Sequence, residues 1–260
     1  MITDDVAPLR FDVEPWFMSG FDFRCMWEAL GLDHLPFPLA YRNPQQYMAD
    51  VEADRRVALS RQRADLNQNR IRILEALRFP AFMVQGFGRV DEGAGERLYR
   101  MFAVVGTTGY CAVITQDPSE RTIFGDSIQI IGCVNVDFPQ VVAEALPEYT
   151  PGTRPKRDGR LEDETPAAFF WGEKIVDSVL LTASAEFTLD YELRNASYLT
   201  LVNVADDGAY LVLEDAGDFR IVAATAGNVL DAFKKVETAQ LNALQRMSPA
   251  GSSEDADVLP

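Results

Sequence analysis

The sequence predicts an α+β protein in which two similar halves join into one central, mainly antiparallel β-sheet flanked by helical bundles. Two groups of strand-like runs, each divided by turn residues, predict the sheet. Stretches with helical spacing precede and follow each group. The second group also repeats features of the first at a nearly constant distance, which indicates a duplication and a pseudo-two-fold axis.

The first half opens with helices. Residues 21–32 have helical spacing, with Asp22 as the expected N-cap. The proline-flanked segment 35–39 cannot continue that helix and is predicted to be an extended connector. Residues 45–77 follow helical spacing again and end before Pro80. An antiparallel meander of four strands and a short helix should follow, at residues 81–87, 99–105, 110–115, 128–134 and 139–146.

The same order returns in the second half. A helix, four strands and a last helix are predicted at residues 170–182, 185–193, 198–204, 210–214, 219–224 and 228–244. Tyr99 and Gly109 lie 99 positions before Tyr198 and Gly208, and the run 127–130 lies 91 positions before 218–221. A four-stranded half on its own would expose its apolar face to water, so the two halves are expected to share a core.

These features predict one domain over residues 1–247. Its half-repeats are 20–148 and 166–247, and the polar stretch 149–165 is the linker between them. The small, polar and acidic residues 248–260 are predicted to be a disordered tail.

The composition excludes several classes of function. The formal net charge is −16, so nucleic acid would be repelled. The basic cluster at residues 154–160 is interrupted and followed by acids, which is typical of a solvated linker. The start of the chain has no signal-peptide pattern, and no run of about 18 apolar residues predicts membrane insertion. Three widely spaced cysteines form neither a disulfide framework nor a zinc pattern, so we expect reduced core thiols in a cytoplasmic protein.

No motif for catalysis is present. The single histidine, His34, lies in a turn and is expected to have a surface or capping role. The glycine-rich runs lie in hairpins and do not open a helix, so they predict no phosphate site. The acidic pair Asp206–Asp207 is expected to be solvated. We therefore predict a protein that is not an enzyme and needs no metal or cofactor. Two alternatives stay open, an enzyme that uses a carboxylate pair at the sheet and a purely structural homodimer.

One segment carries a family resemblance. Residues 21–43, FDFRCMWEALGLDHLPFPLAYRN, resemble the opening of the EspG family, which serves type VII (ESX) secretion. The matching residues are Trp27, Glu28, Leu30, Leu32, Leu35, Pro36, Pro38 and Leu39.

The resemblance implies a cytosolic chaperone or adaptor. It would bind the exposed hydrophobic tip of a helical secreted client, which is the PPE member of a PE–PPE pair or a WXG100-like substrate, and target it for export. It also implies that the client contacts the sheet, a hairpin and the second-half helices. The residues expected there are Phe87, Arg89, Val90, Leu230, Phe233, Leu241 and Leu244.

Overall fold

The computed structural model describes residues 14–43, 45, 47–91, 95–118, 124–215 and 217–247. The predicted tail 248–260 lies outside the described residues. Five α-helices are present in these ranges: α1 (Gly20–Ala29), α2 (Met48–Asp65), α3 (Gln68–Arg78), α4 (Phe138–Glu144) and α5 (Ala226–Met247). None of them is long and apolar enough to span a membrane.

Twelve strands accompany these helices. In chain order they are β1 (Trp16–Ser19), β2 (Pro80–Asp91), β3 (Glu96–Gly106), β4 (Tyr110–Pro118), β5 (Gly125–Val134), β6 (Arg157–Arg160), β7 (Ile175–Ser184), β8 (Glu186–Phe187), β9 (Leu193–Arg194), β10 (Ser197–Val204), β11 (Gly208–Asp215) and β12 (Asp218–Ala223). Ten of them form one sheet in the order β1-β5-β4-β3-β2-β7-β10-β11-β12-β6, with antiparallel pairing throughout, and β8 and β9 form a separate hairpin. The predicted α+β class with a central antiparallel sheet is confirmed.

The strand order is pseudo-symmetric about the central pair. β2 and β7 lie side by side, and each is followed outward by the other three strands of its own meander and then by a short edge strand. Gly86 and Leu181 are opposite each other at the middle of the paired stretch. The pseudo-two-fold axis therefore passes by this pair of residues.

The pairing register tests the predicted repeat distances. Gln116 pairs with Ile128 and Glu214 pairs with Phe219, so the predicted distance of 91 between β5 and β12 is confirmed. The predicted distance of 99 between the β3–β4 hairpin and the β10–β11 hairpin is wrong by one residue. Val105 pairs with Cys111, and their counterparts 98 residues later are the paired Asn203 and Ala209.

That single residue changes which face of the sheet a side chain occupies. Tyr99 is buried in the core, whereas Tyr198 points to the opposite face and is exposed. The two tyrosines are therefore not structural equivalents.

Helices cover the two faces of the sheet unequally. On one face, α4 and α5 pack across both halves, with Phe138 and Phe233 in a shared core. On the other face, α1 and α3 cover the first half through Trp27 and Leu77. The second half of that face is covered by a short 3-10 helix at Pro166–Phe170, whose phenylalanines pack on Tyr210.

The ends of α1 are set by short-range hydrogen bonds. Ser19, and not Asp22, is the N-cap, because its hydroxyl accepts a hydrogen bond from the Asp22 backbone N–H. At the other end, Gly31 has a φ of +82°, and the N–H groups of Gly31 and Leu32 donate to the carbonyls of Glu28 and Trp27. This pattern is a Schellman motif, which stops the helix at the predicted glycine.

Two predicted elements of the second half are wrong. Residues 170–182 contain the strand β7 and not a helix, because seven residue pairs with β2 place this segment in the centre of the sheet. Its side chains alternate between the core and the opposite face, as a strand requires. The strand predicted at 185–193 is replaced by the β8–β9 hairpin, which leaves the sheet at Ala185. In the first half, the helical stretch 45–77 is two helices, and Asn67 caps the second one.

The linker is more ordered than its composition suggested. It contains β6, which pairs with β12, and its residues Arg157 and Arg160 form ion pairs with neighbouring acids. Asp207 is not simply solvated, because its carboxylate accepts hydrogen bonds from the Thr153 N–H and hydroxyl and from the Tyr210 hydroxyl, and it pairs with Arg154. The hydrogen bond from Tyr210, followed by those from Thr153, lowers the pKa of Asp207 to about 2. This network holds the start of the linker against β11.

Candidate functional site

One face of the central strands carries exposed and half-buried side chains that are partly apolar. We call this the central sheet surface and define it by Phe87 and Arg89 of β2, Ser178 and Leu180 of β7, and Tyr198 and Thr200 of β10. The register places Leu180 between Phe87 on one side and Thr200 on the other. Successive side chains of a strand point to opposite faces, so these six residues share one face and α5 lies on the other.

The position of this surface follows from what covers its neighbours. α1 and α3 cover the outer strands of the first half, and Phe169 and Phe170 cover the outer strands of the second half. Leu180 and Tyr198, which lie between these covers, are 43% and 49% exposed. Large apolar side chains on the central strands of a wide sheet are usually buried, so this surface is the most conspicuous candidate for binding another molecule.

A loop of the first half adds an aromatic side chain to the edge of this surface. Phe37 is 57% exposed, and the centre of its ring lies 5.3 Å from that of Phe87. The loop is held by Trp27, which is fully buried and donates its indole N–H to the carbonyl oxygen of His34 at 2.7 Å. The His34 side chain is exposed, as expected for a surface role. The segment that carries the family resemblance therefore positions Phe37.

The end of the surface next to the β2–β3 hairpin carries a charge, and hydrogen bonds fix this hairpin to the neighbouring strands. Arg89 forms an ion pair with Glu96 across the β2–β3 hairpin at 3.1 Å. On the opposite face, the buried carboxylate of Asp177 accepts hydrogen bonds from the Asp91 N–H and from the Asn203 side chain, each at 2.7 Å. These bonds tie the base of the hairpin to β7 and β10, so the described part of the hairpin is fixed relative to the surface.

The seven residues predicted to bind a client do not form one patch. Phe87 and Arg89 lie on the central sheet surface, whereas Val90 is buried on the α5 side. Phe233 is also buried in that core, and Leu230 and Leu241 are half-buried. Leu244 alone among the α5 residues in the prediction is an exposed large apolar side chain, at 38%.

Phe37, Leu180 and Tyr198 were missed from sequence. Leu180 lies in a predicted helix, because the apolar run Val179–Leu181 does not by itself distinguish a strand from a helix. Phe37 lies in the predicted connector 35–39, where no pattern distinguishes an exposed ring from a buried one.

Two cavities lie on the α4 and α5 face. One, of about 720 Å³, has an apolar wall of Leu199, Leu213 and Val236 beside α5. The other, of about 690 Å³, is lined by charged residues that include Arg97 and Glu144, near the end of α4. Their positions are related by the pseudo-two-fold axis. The first of them is also lined by Tyr198, a residue of the central sheet surface.

The chemistry of the central sheet surface suits binding. None of its six residues has a carboxyl group, so the carboxylate pair of the enzyme alternative is not found on this surface. In the described ranges, no group of three or more His, Cys, Asp or Glu side chains is placed to hold a metal ion. The surface offers aromatic and aliphatic contact, three hydroxyl groups, of Ser178, Tyr198 and Thr200, and one guanidinium.

Comparison with known proteins identifies the family. A family model described as the EspG family matches residues 21–168. The chain belongs to the EspG family. The matched range contains the whole segment from Trp27 to Leu39, so the resemblance is confirmed. No curated protein matches the chain.

A solved structure shows the same EspG fold. It is the type VII secretion system chaperone EspG5 of Mycobacterium tuberculosis in complex with a PE25–PPE41 dimer. The alignment has a TM-score of 0.57 at 12% sequence identity and covers 87% of this chain and 97% of that chain. At this identity the likeness extends to the fold, and the expected EspG architecture is confirmed.

Proposed function

We propose that this protein is a cytoplasmic, non-enzymatic chaperone of type VII (ESX) secretion. Its client is the hydrophobic tip of a helical secreted protein, namely the PPE member of a PE–PPE pair, and it keeps that tip soluble until export. Membership of the EspG family and the fold of EspG5, which binds a PE–PPE dimer, support the client class. The single observation that carries the proposal is the exposed apolar surface on the central strands of an EspG fold.

The dimensions of the surface suit the end of a helical client. Neighbouring strands lie about 4.8 Å apart, so the axes of β2 and β10 are separated by about 10 Å. That distance is about the diameter of one α-helix with its side chains. A helix tip can therefore rest on Leu180 with Phe87 and Tyr198 on either side, and Phe37 can contact its flank.

The charge of the protein suits a holding role. A net charge of −16 keeps the chaperone soluble while an apolar surface stays open. Binding by burial of apolar area needs no nucleotide, and release can follow from competition by a further partner. The proposed client-binding residues are those of the central sheet surface with Phe37, and Leu244 on α5 stays a separate prediction.

Co-expression with candidate clients tests this function. The full chain is expressed with each PE–PPE pair of the same bacterium and then analysed by size-exclusion chromatography with light scattering. We expect a 1:1:1 complex with at least one pair, and no complex with a WXG100 pair as the comparison. Failure to co-elute with every PE–PPE pair, or a stable homodimer that closes the central sheet surface, would overturn the proposal.

A further inference from the structure

Two of the three cysteines are direct neighbours across the sheet. Cys111 of β4 and Cys133 of β5 are register partners in the antiparallel pair. Both side chains belong to the core under α4 and α5, and the residues are 0% and 3% exposed. Opposite residues in antiparallel strands have Cα atoms about 4.5–5.5 Å apart. This range lies within the separation of about 4.4–6.8 Å that a disulfide bond spans.

The third cysteine is far from this pair in the fold. Cys25 is buried in α1, and the charged groups that act on its thiol come from α1 and α2, namely Glu28, Arg55, Asp22 and Glu52. The α1 helix packs on the face of the sheet opposite to the one that carries Cys111 and Cys133. The fold therefore selects one pairing of the three possible ones.

Both members of the pair are thiols in the structure. A hydrogen bond with Cys133, together with burial, raises the pKa of Cys111. Since the thiolate is the nucleophile in disulfide exchange, the closed core protects these thiols. Reaction requires either folding in the presence of an oxidant or a local opening of the helices that cover them.

We propose that Cys111 and Cys133 are a redox modification site that takes a small disulfide oxidant and closes into an intramolecular bond. In the first step, the thiolate of one cysteine attacks a sulfur of the oxidant and expels one thiolate, which leaves a mixed disulfide. In the second step, the other cysteine attacks the sulfur of its partner and expels the second thiolate. The two cysteines lose their S–H protons and two electrons in total, and the oxidant is reduced to two thiols.

The bond would crosslink β4 to β5 on the face that α4 and α5 cover. Because the central sheet surface lies on the other face, closing this bond leaves Leu180 and its neighbours unchanged. The crosslink restricts the unfolded chain, so the oxidised protein should have a higher Tm than the reduced protein.

The test uses refolding, so that burial cannot block access. The full chain is unfolded in urea and refolded by dilution in glutathione buffers of increasing oxidised fraction. Because all three cysteines are buried in the fold, the protein is unfolded again in urea and its remaining thiols are alkylated with N-ethylmaleimide. The protein is then mapped by mass spectrometry. In the most oxidising glutathione buffer we expect one alkylated thiol, on Cys25, and a disulfide-linked peptide pair that contains Cys111 and Cys133.

Variants serve as controls for the assignment. Cys25→Ala should keep the linked peptide, and Cys111→Ala should lose it. If either variant fails to fold, the map of the unaltered protein still decides. Three alkylated thiols at the oxidised end, a disulfide that includes Cys25, or glutathione adducts alone would overturn the proposal.

Discussion

The hydroxyl group of Tyr191 donates a hydrogen bond of 2.7 Å to the carbonyl oxygen of Leu77, and so joins the connection between β7 and β10 to the end of α3. The Tyr191 carbonyl oxygen also accepts a hydrogen bond from the Gln85 side chain at 3.0 Å. Its ring lies 5.3 Å from that of Trp27 in the first-half core. Burial raises the pKa of Tyr191 to about 12, so the hydroxyl stays protonated and remains a donor. A second-half side chain thus completes the first-half core.

Removing this hydroxyl tests its contribution. Tyr191→Phe should lower the free energy of unfolding by about 1–2 kcal/mol, because the ring stays but a buried hydrogen bond is lost. Urea denaturation measures the change. Tyr198→Phe is the matched control on an exposed tyrosine, and its effect should stay within about 0.5 kcal/mol. Equal effects of the two substitutions would contradict the role assigned to Tyr191.

The proposed client surface can be tested at its centre. Leu180→Asp should weaken the complex with a PE–PPE client roughly 10- to 100-fold, because a charge would replace an apolar contact in the middle of the interface. Leu161→Asp is the control, since Leu161 has a similar exposure of 38% but lies beyond β6 at the edge of the sheet. Isothermal titration calorimetry gives both affinities, and circular dichroism confirms folding. An unchanged affinity for Leu180→Asp would exclude this surface.

Two residues of α5, Phe233 and Leu244, can distinguish a role in the core from a role in client binding. Phe233→Ala should lower the free energy of unfolding by about 3–5 kcal/mol, because it leaves a cavity in the shared core. Leu244→Asp removes an exposed side chain and should leave stability within about 0.5 kcal/mol. If Leu244→Asp also reduces client binding, the second-half helix takes part in recognition as the resemblance implies. If it does not, the client contacts the central sheet surface alone.

Glycine at the β2–β7 pair is required by backbone proximity. A Cβ atom on Gly88 would lie 2.0 Å from the Ser178 carbonyl oxygen. Gly88→Ala should therefore lower the free energy of unfolding by about 3 kcal/mol or prevent folding. Gly227 near the start of α5 has open space around it, so Gly227→Ala should be neutral or stabilising by up to about 1 kcal/mol. Thermal denaturation of the pair checks this contrast.

Asp207 should make stability depend on acid pH. Its pKa is lowered from 3.8 to about 2 in the folded protein, so the charged form stabilises the fold above pH 4. That stability is lost as the pH falls from about 4 to about 2. Asp207→Asn should lower Tm near neutral pH, and the difference from the unaltered protein should shrink over this range. Asp206→Asn, which removes the same charge at an exposed neighbour, is the control.

Much of the fold could be predicted because its signals are local. The strands of the meanders are strand-like runs divided by turn residues, and Gly31 and Pro80 mark helix ends. The segment of β7 was misassigned because a short apolar run such as Val179–Leu181 fits a helix as well as a strand. Only its seven pairs with β2, which are long-range contacts, decide between them.

The candidate site was harder to predict than the fold. The resemblance implies that one client contacts both Phe87 and Phe233, yet these residues lie on opposite faces of the sheet. Helical spacing shows that α5 has an apolar stripe, but it does not show which face of the sheet receives that stripe. The exposure of Leu180 depends on how far α1, α3 and the 3-10 helix extend over their halves, and that extent is set by tertiary packing.

The central β2–β7 seam has a consequence for synthesis of the chain. As the polypeptide leaves the ribosome, β2 emerges long before β7, and its outer backbone groups have no strand to pair with until β7, the first sheet strand of the second half, is made. Such an open edge invites pairing with another nascent chain. A chaperone that shields its clients from aggregation therefore passes through an aggregation-sensitive stage of its own, and neither half can mature without the other.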